Sequence, residues 1–309
     1  MREQQAEKFL QAFQEKVPGL RKKKLVFLLI GRTGVGKSST VNALIGKTVA
    51  EVGDYEATTM GVESYESELE GIKFQVIDTP GLCDDIEEAG RDQEYLDLML
   101  SKVTQIDSMW FVSPLNETRV RRDEIQAIEL ITKAFGTKVW EHAVIIFTFA
   151  NYVNSSKYSE ALRKRTELIQ KAIANCEDVG SEVAQAIPSL AVDTESETTP
   201  DGEKWLGELF TKVFSRISER AALPFFLMMA DSIKPVSLNP LIDNTVGAYQ
   251  ARIELTEEQK KEVKKRIDAS IIPGLAIAGA SIGSVFGPAG TAIGGGIGAA
   301  IGLIAWLWD

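Results

Sequence analysis

The chain has 309 residues, 44% of them hydrophobic and 25% charged, with a formal net charge of −10. This composition excludes a mainly disordered chain and suits one sizeable globular domain with appendages. The acidic balance excludes a general nucleic-acid binder, which needs a basic face to displace counterions from phosphates. Two cysteines, Cys83 and Cys176, and a single histidine, His142, exclude a disulfide framework, a zinc site or a His-rich metal centre.

In chain order, residues 1–24 form an N-terminal unit. Phe9, Leu10, Phe13 and Val17 recur at helical spacing among charges, which predicts an amphipathic helix over 3–17 rather than a cleavable export signal. Pro18-Gly19 ends it, and the basic run Arg21 to Lys24 follows. "LVFLLI" at 25–30 is a continuous apolar run, the mark of a strand covered on both faces of a parallel sheet. Similar runs recur at 72–78, 108–113, 142–150 and 187–193, separated by helical patterns at 37–46, about 90–104, 121–135, 157–175 and 203–219. The alternation predicts an α/β fold, a doubly wound and mostly parallel sheet over 25–220. His142 is expected to cap or pack beside the strand that follows it. Residues 221–268 begin with a stretch that contains three prolines and has no clear period, read as a linker packing partly on the domain. A charged helix follows over 255–268, with Thr256 and Gln259 placed as a capping box.

"GRTGVGKSST" carries the chemistry. Gly31-x-x-x-x-Gly36-Lys37-Ser38 is a complete phosphate-binding loop between an apolar strand and a helix. Gly31, Arg32, Thr33, Gly34, Val35, Gly36, Lys37, Ser38 and Ser39 are therefore the candidate phosphate-binding segment. Glycines let backbone N–H groups turn toward phosphates, and the helix N-terminus adds a favourable dipole. Lys37 is expected to bridge the β- and γ-phosphates, and the Ser38 hydroxyl to ligate Mg2+. In "VIDTPGL", Asp78 stands where a carboxylate holds Mg2+ through water, and the Gly81 N–H can sense the γ-phosphate. Thr59, preferred over Thr58, is the candidate threonine that reaches Mg2+ only when the γ-phosphate is present.

With these residues in place the chain resembles the septin-like GTPases, the group that includes the chloroplast-envelope Toc receptors and the immunity-associated GIMAP proteins. The resemblance runs from Leu25 to Arg220 through "GRTGVGKSSTVNALIG", "VIDTPGL", "SPLNETRVRRDEIQAIELITKAFGTKVWEHAVIIFTFAN" and "TTPDGEKWLGELF". It implies a P-loop GTPase domain that binds GTP and GDP with Mg2+ and forms a homodimer or homo-oligomer. Where ordinary GTPases read guanine with Asn-Lys-x-Asp, this chain has Thr148-Phe149-Ala150-Asn151. Asn151 falls at the carboxylate's place and offers an uncharged acceptor. Asp193 lies near the final loop that packs on the base. Leu82 stands where faster GTPases carry a water-orienting glutamine, which predicts slow intrinsic hydrolysis. Arg119 occupies the place of a Toc-receptor arginine that crosses a dimer interface toward the partner's nucleotide. A solvated basic cluster with Arg121 and Arg122 is the alternative reading of that arginine.

The tail, 269–309, has no charged residue from Ala269 to Trp308. Glycines at 279, 283 and 287, then at 290, 294, 298 and 302, step by four, which lets two helices approach closely. Residues 289–308 are long enough to span the roughly 30 Å hydrocarbon core, and a hairpin or one span plus an interfacial segment both fit. Trp306 and Trp308 at one end and the lysines of 260–265 at the other suit the two interfaces, with the GTPase domain on the cytosolic side. Together these features lead to the expectation of a membrane-anchored GTPase whose nucleotide state controls self-association. The rivals are a non-hydrolysing GTP-binding scaffold and a membrane-permeabilising tail restrained by the GTPase domain.

Overall fold

The computed structural model describes residues 23–50, 62–79, 91–233, 253–267 and 269. The expected helix over 3–17 and the tail beyond 269 lie outside the described residues. In chain order the elements are β1 (Leu25–Ile30), α1 (Lys37–Ile45), β2 (Glu63–Leu69), β3 (Ile72–Asp78), α2 (Arg91–Lys102), β4 (Ser108–Pro114) and α3 (Arg122–Phe135). Then come β5 (Ala143–Thr148), α4 (Ser155–Ala174), α5 (Gly180–Gln185), β6 (Ser189–Ala191), α6 (Trp205–Arg216) and α7 (Glu219–Ile233). Residues 257–267 form α8.

The six strands form one sheet in the order β2-β3-β1-β4-β5-β6. All neighbours are parallel except β2, which runs antiparallel to β3. Every residue of β1 is buried because helices cover both faces. Side chains alternate between them. Leu25, Phe27 and Leu29 face α1, α6 and α7, whereas Val26, Leu28 and Ile30 join the cluster that holds α2, α3 and α4. The chain leaves β1 for β3 on one side and β4 on the other, so a crevice opens beyond the carboxyl end of β1. The phosphate loop lies there.

Two segments differ from the sequence expectation. Glu63–Leu69 is a sixth strand that the apolar runs did not reveal. Its sequence, ESYESEL, lies at an antiparallel edge with half its side chains exposed, so no continuous apolar run is required. The segment read as a linker after Arg220 opens with core structure: α7 buries Ala221, Ala222, Phe225, Phe226, Leu227, Met228 and Met229. Phe225 packs 5.8 Å from Phe27 of β1 and 5.7 Å from Phe210 of α6. A helix covered on most sides has no polar stripe to reveal its period, which is why this one was not apparent. The capping box of α8 is present, with Thr256 N–H donating to Gln259 Oε1 at 2.9 Å and Gln259 N–H to Thr256 Oγ1 at 3.3 Å. His142 packs as expected, its Nδ1 3.1 Å from the Arg216 carbonyl oxygen.

No helix among the described residues is long and apolar enough to cross a membrane.

Candidate nucleotide-binding site

The phosphate loop, residues 31–36, joins β1 to α1 at the crevice. Its glycines are forced by the fold. A Cβ on Gly31 would sit 2.3 Å from the Val112 carbonyl oxygen of β4, and Gly34 and Gly36 have φ of +75° and +89°. Val35 is buried and anchors the loop in the core. Helix α1 has no side-chain N-cap and no acidic residue in its first turn. Its N-terminal backbone donors, on Lys37, Ser38 and Ser39, are therefore not capped by a side chain of the helix itself.

Lys37 is 5% exposed. Its ammonium donates to the carbonyl oxygens of Gly31 at 2.8 Å and Arg32 at 2.9 Å, and lies 3.4 Å from Asp78 Oδ1. The Ser38 hydroxyl donates to Asp78 Oδ2 at 3.2 Å. Asp78, at the end of β3, is buried, and its Oδ1 accepts no hydrogen bond among the described residues. Burial pushes the Asp78 carboxyl above the usual carboxylate range, with Lys37 and then Ser38 opposing the rise. A buried oxygen with spare acceptor capacity, beside a hydroxyl whose proton is already committed, is a donor set suited to a hard cation. The residues present thus fit Mg2+. Beneath them the Thr79 hydroxyl donates to the Leu29 carbonyl at 2.9 Å and holds the end of β3 against β1.

The far end of the crevice is built differently. Phe149 follows β5 with φ of 57°, an uncommon conformation for a non-glycine residue, and carries the chain into the turn Ala150–Tyr152. The turn is pinned by Asp193, whose two oxygens accept the N–H groups of Asn151 and Glu195, each at 3.0 Å. The Asp193 carboxylate is thus engaged with backbone and fixes the loop. Asn151 is exposed; its side-chain amide donates to the Thr198 carbonyl at 3.3 Å, which leaves Oδ1 as its outward acceptor. Tyr152 is 67% exposed and packs edge-on to Phe149.

Arg119 is exposed on the loop between β4 and α3, and its side chain makes no ion pair among the described residues. The Arg32 side chain pairs with Glu117 and with Asp123, the latter at 3.6 Å. Thr59 and Gly81, as well as Leu82, lie outside the described residues. Four functional candidates were not apparent from the sequence. They are Glu117, Asp123, Arg165 and Thr148, whose methyl group comes within 3.2 Å of where a Gly36 Cβ would stand. Only Thr148 lies in a segment that the sequence singles out, Thr148-Phe149-Ala150-Asn151.

Comparison with known proteins agrees with this geometry. The chain is 27% identical to Translocase of chloroplast 34 of Arabidopsis thaliana over 202 residues, covering 61% of this chain and 64% of that protein. It is 29% identical to Translocase of chloroplast 33 of the same plant over 254 residues, covering 75% and 83%. Solved structures similar to it include Arabidopsis Toc33 in complex with GDP and Mg2+, with 23% identity, a TM-score of 0.51 and coverage of 72% and 96%. Another comes from work on the importance of dimerisation for the GTPase activity of the chloroplast translocon components Toc33 and Toc159, with 25% identity, a TM-score of 0.51 and coverage of 67% and 91%. Residues 25–181, which carry the phosphate loop, Asp78, Arg119 and Asn151, match the AIG1 family model, and the chain belongs to the AIG1 family.

Proposed function

We propose that this chain is a slow, Mg2+-dependent GTPase that dimerises through its nucleotide face. In this reading residues 269–309 anchor it in a membrane, with the GTPase domain on the cytosolic side. Residues 1–24 are an N-terminal helix and basic linker and 25–220 the GTPase domain, while 221–268, whose α7 packs into that domain's core, lead from it to the tail. The observation that carries the reading is the Lys37–Asp78–Ser38 constellation beside the glycine loop, with Lys37 and Asp78 buried. Lys37 meets the β- and γ-phosphates by exchanging the Gly31 and Arg32 carbonyls for phosphate oxygens. Ser38, Thr59 and Asp78 would hold Mg2+, whose charge would offset that developing on the phosphates. The N–H groups of the loop and of Gly81 cradle the phosphates. The Asn151 side-chain oxygen accepts from guanine on a turn that Asp193 holds in place.

Leu82 cannot orient water, so turnover depends on charge supplied from a partner copy, and the exposed Arg119, which makes no ion pair among the described residues, suits that role. The uncharged, glycine-spaced tail suits close helix packing in a bilayer. The test is GTP hydrolysis by the full chain in detergent, measured against protein concentration. Specific activity is expected to rise and saturate, and Arg119→Ala to flatten that rise with GTP affinity nearly unchanged. Activity per molecule independent of concentration would overturn the trans mechanism and favour a GTP-binding scaffold.

A further inference from the structure

Residues 115–121, the loop that presents Arg119, are held from beneath by one buried guanidinium. Arg165 of α4 is 1% exposed. Its Nη1 donates to the Arg119 carbonyl at 2.7 Å, and its Nη2 donates to Ser113 Oγ at 2.7 Å and to Glu124 Oε1 at 2.6 Å. It thereby joins the end of β4, the outward loop and the first turn of α3. Glu124 adds a second tie by accepting the Arg121 N–H at 2.9 Å. Leu115 N–H donates to the Thr148 carbonyl at 2.9 Å, which fixes the start of the loop to the end of β5. Burying a guanidinium is costly, and a buried ion pair is weak evidence for stability, so three simultaneous attachments point to a gain in geometry.

The top of the loop is attached to the phosphate loop. Glu117 Oε1 pairs with Arg32, the second residue of that loop, and Arg32 Nε lies 3.6 Å from Asp123. Glu117 Oε2 faces Arg165 at 3.8 Å, so one carboxylate stands between the buried anchor and the nucleotide loop. Of these ties only Arg32–Glu117 is a hydrogen bond, and the planar guanidinium makes it directional; the contacts at 3.6 and 3.8 Å are longer ion pairs. Arg119 lies two residues from Glu117 and has no ion pair of its own among the described residues.

We infer that Glu117 is a positioning residue: it locks the Arg119 loop to the phosphate loop through Arg32, with Arg165 as the buried anchor. Glu117 thereby fixes where Arg119 stands relative to the nucleotide face that a second copy meets. The inference rests on the reading in which Arg119 acts across a dimer.

Glu117→Gln keeps the size of the side chain, removes its charge and changes a position only part-buried, so the fold is retained. The full chain in detergent is assayed for GTP hydrolysis across a concentration series, with dimerisation followed by sedimentation. The saturating rate is expected to fall on the order of tenfold, because small misplacement of a transition-state group is costly. GTP affinity and the rate at low concentration should stay within about twofold. Glu117→Asp, which keeps the charge, should recover part of the loss. If Arg119→Ala flattens the concentration dependence while Glu117→Gln keeps the wild-type plateau, the positioning role is wrong and the trans reading stands. If Glu117→Gln weakens GTP binding as much as it lowers the plateau, Glu117 merely supports the phosphate loop, and the inference is overturned. If the wild-type rate never rises with concentration, both fall together.

Discussion

The two ends of the crevice solve recognition in opposite ways. At the phosphate end, residue types are fixed by sterics and charge: Gly31 has no room for a Cβ, and Lys37, Ser38 and Asp78 lie within 3.4 Å of one another. At the other end, proposed to meet the base, the Asp193 carboxylate is engaged with backbone N–H groups, and the exposed side chains of the turn, Asn151 and Tyr152, are uncharged. The comparison teaches that the phosphate end is constrained at its side chains, whereas the turn after β5 is constrained at its backbone, which the Asp193 carboxylate pins.

The largest expected effect breaks the rigid end. Gly31→Ala would drive a methyl into the Val112 carbonyl, at a cost on the order of 3 kcal/mol. The expected outcome is a lower melting temperature together with loss of nucleotide binding. A variant that binds GTP normally at unchanged melting temperature would show that the loop does not need its close approach to β4.

A smaller effect sharpens the role of Asp78. Burial raises its pKa, and Mg2+ competes with the proton for the same carboxylate. Metal-dependent GTP affinity should therefore be present above the raised pKa and lost as pH falls through it, beginning above the ordinary Asp range near 3.9. Asp78→Asn should flatten that dependence and remove most of the Mg2+ requirement. An affinity that falls only at or below the ordinary Asp pKa would contradict the burial argument.

The same contrast explains what could be read from the sequence. β1, β4 and β5 were legible because strands covered on both faces are nearly continuously apolar, and β3 because its run is broken only by Lys73 and Gln75 before the buried Val76, Ile77 and Asp78. The phosphate loop was legible because its glycines and lysine have no substitutes. β2 was not, since an antiparallel edge tolerates polar residues, and α7 was not, since burial on most sides erased its period. Arg165 sits in a helix whose pattern, SSKYSEALRKRTELIQKAIA, reads as an ordinary charged surface helix. Its burial is set by partners 41 to 52 residues distant in sequence, which no local pattern encodes. The structure places Asn151 on the turn after β5, and the pinning of that turn by Asp193 required tertiary contacts to be seen.

The most direct measurement of this division is a calorimetric titration of GTP and ATP, with Mg2+, into the wild-type chain, Lys37→Ala and Asn151→Ala. The account predicts that wild type prefers GTP and that Lys37→Ala loses both nucleotides, by on the order of 3 kcal/mol for a buried charge-assisted contact. Asn151→Ala should lose about 1 kcal/mol for GTP alone, narrowing the preference over ATP. Equal loss of both nucleotides in Asn151→Ala, or GTP preference and affinity intact in Lys37→Ala, would contradict it.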